Sequence, residues 1–154
     1  MADLNALSSR FERATRAAGA VRPGAAVFAE LVARYAEPHR RYHTLSHIEA
    51  CLAWLDWLSG VAERPQEVEL ALWFHDSIYE LGGHENERRS AGLARERLGE
   101  LGVDGQTVDR IAGHIEATKE HVAGAGDSAL VVGIDLAILG ARPLDFERFE
   151  REVR

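Results

Sequence analysis

The chain has 154 residues, 46% of them apolar, which suits one compact domain and excludes the disordered and fibrous classes. Its 18 Lys and Arg against 25 Asp and Glu leave a net charge of −7, which repels a phosphate backbone and argues against general nucleic-acid or anionic-membrane binding. One cysteine, Cys51, forbids an internal disulfide, the 1–5 start has neither a basic nor an apolar leader region, and the longest apolar stretch, 129–141, is broken by Asp135 and shorter than the ~20 residues of a membrane span, so the expectation is a soluble, cytoplasmic protein with no membrane partner.

Apolar residues recur at three- and four-residue spacing, and no β-branched run alternates long enough to make a strand. The pattern predicts an all-α domain over 1–154, with helices at 3–18, 24–36, 45–59, 65–79, 85–101, 104–121 and 128–139. Pro65 suits a first-turn position, Asp104 and Asp127 are candidate caps, and glycines at 82, 83, 99, 102, 124 and 126 punctuate the ends. Trp54, Trp57 and Leu58 read as core packing. Phe146, Phe149 and Val153 lie at i, i+3 and i+7, a helix face still running at Arg154, so the expectation is either a last helix that frays or a chain that is part of something longer.

The informative positions are ionisable groups where core residues belong. Asp135 has Val131 and Val132 one turn before it and Ile138 and Leu139 one turn after, with no Lys or Arg between Lys119 and Arg142. Burying that carboxylate alone costs several kcal/mol, so it needs a partner from elsewhere in the fold. His75 and Asp76 stand together inside the apolar stretch 71–79, and His43 and His47 fall at i and i+4, on one face if that segment is helical. Taken alone, His47 reads as an ordinary core or surface histidine and Asp135 as a cap. Their conjunction predicts a shared divalent metal, because imidazole nitrogen and carboxylate oxygen suit Mn, Fe, Zn, Mg, Ni or Co.

The ordered set His47, His75-Asp76 and Asp135 resembles the H…HD…D signature of the HD superfamily of metal-dependent phosphohydrolases. Further stretches are similar to a bacterial branch of it: Tyr42-His43-Thr44-Leu45-Ser46-His47, Asn86-Glu87-Arg88-Arg89-Ser90-Ala91 and Asp135-Leu136-Ala137-Ile138-Leu139-Gly140. The resemblance spans about 35–140 and implies a helical bundle with a central metal held by His47, His75, Asp76 and Asp135. The Tyr42-His43…His47 spacing also resembles that of cyclic-nucleotide phosphodiesterases, which implies His43 as general acid; Thr44 departs from the asparagine there, so a cyclic substrate is not implied.

The expected chemistry is hydrolysis of a phosphate ester of a small metabolite or nucleotide by a metal-activated water, with His43 protonating the leaving oxygen. Arg40, with Arg41 beside it, is the candidate phosphate clamp, and Arg88 and Arg89 are second choices, because a guanidinium grips phosphate oxygens as a fork. Glu87 is expected to orient a ligand histidine or a water. His114, Thr118 and His121 form one stripe at i, i+4 and i+7, with His121 expected at the substrate and either histidine able to serve a second metal. A di-iron oxygenase, a metal-stabilised binding module without turnover and assembly as a homodimer are the alternatives in view.

Overall fold

The structure, a computed structural model that describes residues 2–119 and 124–137, consists of seven helices, with no strand among those residues. They run α1 (Leu4–Ala17), α2 (Ala25–Tyr35), α3 (Leu45–Trp57), α4 (Pro65–Phe74), α5 (Asn86–Glu100), α6 (Gly105–Ala117) and α7 (Gly126–Leu136). Among the described residues, no helix is long and apolar enough to cross a membrane. The all-α expectation holds, and the starts follow the predicted chemistry. Asp3 caps α1 by accepting from the Ala6 amide, Asp104 caps α6 by accepting from that of Thr107, and Pro65 opens α4 where no intrahelical donor is needed. Asp127 differs from its predicted role. It lies inside α7, and its two carboxylate oxygens accept from the amides of Glu63 and Arg64, both at 2.8 Å, tying α7 to the approach of α4.

Beyond its first turn, helix α4 is buried almost all round, with Glu69 only partly exposed. It packs against α1, α3, α5, α6 and α7, and Val68 and the run from Leu70 to Phe74 are fully buried. Phe11 of α1 meets Phe28 of α2 and Trp73 and Phe74 of α4, with ring centroids 5.5–6.4 Å apart. Two ion-pair systems fasten the edges of this core. Arg110 of α6 forks onto the buried Glu67 of α4, with a shortest contact of 2.6 Å. Arg10 of α1 grips Asp56 of α3 and Glu69 of α4, each at 2.8 Å. The tryptophan expectation needs correcting. Trp54 packs partly against the core, but Trp57 is 76% exposed, because its position on α3 faces away from α4 and leaves it only the edge of Trp54.

Phe11 sits where three aromatic rings converge, so its removal leaves a void that rigid neighbours cannot fill. Phe11→Ala should cost about 3–5 kcal/mol in denaturant unfolding. Val61→Ala, at a residue left 63% exposed, should stay within about 0.5 kcal/mol.

Candidate metal centre

The predicted helix through 79 stops at Phe74, and the reason lies in distant side chains. The last carbonyls of a helix have no partner within it. Here the Tyr35 hydroxyl donates to the Trp73 carbonyl at 2.7 Å, and the Arg40 guanidinium donates to those of Asp76 and Ser77 at 2.7 and 2.9 Å. Ser90 of α5 completes the turn, accepting from the Ile78 amide and donating to its carbonyl. His75 and Asp76 are thereby carried beyond the helix end, side by side, on a backbone held from three directions.

His47, in the first turns of α3, points at this turn, and Asp135 arrives from α7. His47 Nε2 lies 3.3 Å from His75 Nε2, and Asp135 Oδ1 is 3.0 and 3.1 Å from those two nitrogens. Asp76 Oδ2 is 3.5 Å from His47 Nε2 and 3.2 Å from that of His75. Donors about 2.1 Å from one ion stand about 3.0 Å apart in an octahedron and about 3.4 Å apart in a tetrahedron, so these edges are the right length for a common cation. The four residues predicted as ligands are thus brought together, and their side chains are largely shielded from solvent.

The electrostatics carry the same message. His75 Nδ1 donates to the Leu72 carbonyl at 2.7 Å, which leaves Nε2 as the atom offered to the cluster. Burial opposes charge on His47, but Cys51, Asp135 and Asp76 overcome it and push its pKa up to about 10. His75 is likewise raised well above its ordinary value: burial opposes the charge, and the carboxylates of Asp76 and Asp135 outweigh it. Asp76 is held far below the usual carboxylate range, against burial, by His75 and by its hydrogen bonds with His43 and His75. In the metal-free protein, protons neutralise the carboxylates where a divalent ion would do so in their place.

One member escaped the sequence reading. Cys51, a turn after His47 on α3, places Sγ 3.6 Å from His47 Nε2, and His47, Cys51, His75 and Asp135 each offer a ligand atom within 4.8 Å of the others. The signal was present in the i, i+4 spacing of His47 and Cys51.

His43 sits outside α3, in the segment before the Thr44 cap, and not on a helical face shared with His47. It reaches the site differently: its Nδ1 lies 3.1 Å from Asp76 Oδ2, while Tyr42 and Tyr79 flank its ring at 5.3 and 4.2 Å. Arg40 is corrected from phosphate clamp to structural clamp. Its side chain has no exposure, it donates to the carbonyls of His43, Asp76 and Ser77, and its guanidinium lies 5.1 Å over Tyr35. Carbonyls freed by the broken helix need a buried donor, and Arg40 supplies it. The Leu72 carbonyl holds His75 and Asp76 holds His43, so neither of these two rings needs Glu87 to orient it. Arg88 and Arg89 pair with Glu85 and Glu80 at the surface. His114 is bonded to Ser128 at 2.7 Å with its pKa lowered by burial, and the Thr118 hydroxyl donates to the Ile115 carbonyl, so neither joins the cluster. His121 lies outside the described residues. No family model, curated protein or solved structure matches the chain.

The raised histidines stabilise the metal-free fold fully below pH 6.5, and that contribution is lost as pH rises towards about 10. Metal-free protein should therefore lose denaturant resistance across that window, and Zn(II) or Co(II) should restore it. Calorimetry near neutral pH in buffers of different ionisation enthalpy should show at least about two protons released per ion, one from each raised imidazole. Arg40→Ala should lower stability by at least about 2 kcal/mol even without metal, since it strips charged donors from buried carbonyls. A residue that only contacted substrate would leave the metal-free unfolding midpoint unchanged.

Proposed function

We propose that the chain is a metal-dependent phosphohydrolase of the HD type, acting on a phosphate ester of a small metabolite or nucleotide. The motif resemblance supports this reading, and one observation carries it: His47 and Asp135, 88 positions apart in the chain, meet at 3.0 Å beside His75 and Asp76. A divalent ion held by these residues supplies Lewis acidity and lowers the pKa of a coordinated water towards neutrality.

The chain's own residues do the rest. Asp76 accepts from His43 Nδ1 and fixes the ring, leaving Nε2 to carry the proton that the leaving oxygen takes up. Tyr42 and Tyr79 confine that ring, and the 30% exposure of the His43 side chain gives a substrate access to it. The Leu72 carbonyl keeps His75 in the tautomer that presents Nε2 inward.

Metal-stripped and reloaded protein should be screened on phosphomonoesters and on cyclic and linear phosphodiesters. His43→Ala should lower kcat by about 10²–10⁴-fold with metal content unchanged, whereas Asp135→Asn should lose both metal and turnover. Full turnover without metal, or after Asp135→Ala, overturns the proposal. Two irons per chain with oxygen consumption would replace it by an oxygenase, and tight nucleotide binding without product by a binding module.

A further inference from the structure

We propose that Cys51 is a metal ligand, and that it tunes the centre for a borderline-soft divalent cation, Zn(II), Co(II) or Fe(II), over Mg(II) and Mn(II). The inference rests on the reading that the cluster holds a metal, and it names which kind.

A buried lone cysteine is ordinarily a small apolar filler. Cys51 differs in what its sulfur faces. Its Sγ lies 3.6 Å from His47 Nε2, a ring nitrogen that also faces His75 and Asp135. With metal–sulfur near 2.3 Å and metal–nitrogen near 2.05 Å, a tetrahedral site separates sulfur from nitrogen by about 3.6 Å. His47, Cys51, His75 and Asp135 form one mutually close group, and all but the largely buried Asp135 are buried below a tenth of their surface. Asp76 is not part of that group, although it touches both imidazoles. The two imidazoles and Asp135 are therefore common to two sets of four donors, one completed by the hard oxygen of Asp76 and the other by the soft sulfur of Cys51.

Charge supports the sulfur-containing set. On binding, the Cys51 thiol gives its proton to solvent and forms the sulfur–metal bond. The thiolate and the Asp135 carboxylate then balance the two positive charges of the ion within a buried site. Asp76 is left to hold His43. Thiolate favours Zn(II), Co(II) and Fe(II), whereas Mg(II) and Mn(II) favour an all-oxygen or oxygen–nitrogen shell.

The test is a titration of cobalt(II) alone into metal-stripped wild-type protein. The expected result is a sulfur-to-cobalt charge-transfer band in the near ultraviolet, saturating together with the visible cobalt bands. Cys51→Ser should remove the charge-transfer band and keep the visible ones. The same change should weaken Zn(II) about tenfold or more relative to Mn(II). Visible cobalt bands without the charge-transfer band in the wild type overturn the role of Cys51 and leave the metal centre standing. Absence of any cobalt or zinc binding overturns both. The wild-type spectrum decides even if the variant folds poorly.

Discussion

Two imidazole nitrogens facing one another at 3.3 Å, with carboxylate oxygens at similar range, cannot coexist as bare lone pairs and anions in a largely buried space. Some cation has to sit among them. Hydrogen-bond donation from His75 Nδ1 to the Leu72 carbonyl makes the requirement acute, because it commits the other nitrogen to the cluster. Protons on His47 and His75 meet the need in the absence of metal, and a divalent ion meets it with two charges on one atom. The position of the cluster at the C-terminal end of α4 adds to this, since the partial negative charge of a helix end favours positive charge nearby.

A buried acid does not by itself make such a site, and this fold contains the control. Glu67 is more deeply buried than Asp76 or Asp135, yet its partner is the Arg110 guanidinium, whose charge cannot be displaced at any ordinary pH. Asp76 faces the imidazoles of His43, His47 and His75, the last two held protonated, and Asp135 faces those of His47 and His75. Imidazolium protons can leave. The first arrangement joins α4 to α6, while the second is exchangeable and can trade protons for a metal.

The same distinction explains how far the sequence could be read. Asp135 was legible because a carboxylate on an apolar face with no cation within a helical turn announces a distant partner, and the seven helices were legible from their spacing and caps. The end of α4 was not, because Tyr35 of α2, Arg40 of the α2–α3 connection and Ser90 of α5 terminate it, and nothing local distinguishes residues 75–79 from one more turn. Arg40 was misread for a related reason: arginine beside histidine suggests an anion, but carbonyls freed by a helix end compete for the same donor. Cys51 is legible only through its i, i+4 spacing from His47, which puts both on one face of α3, because a lone cysteine by itself signals no more than a missing disulfide.

The commitment of Arg40 has a consequence for phosphate binding under the proposed activity. With that guanidinium turned to backbone carbonyls and Arg88 and Arg89 paired to glutamates, no arginine of the predicted phosphate set besides Arg41 remains uncommitted. An anionic ligand near His43 would then depend chiefly on the cation at the His47, His75 and Asp135 cluster for its counter-charge. Binding energies that share one counter-charge are coupled, and the coupling is reciprocal: whatever factor the metal contributes to the affinity for phosphate, phosphate must return to the affinity for metal. An acidic protein can in this way bind a phosphorylated ligand without a fixed basic patch, and hold its metal most firmly when that ligand is present.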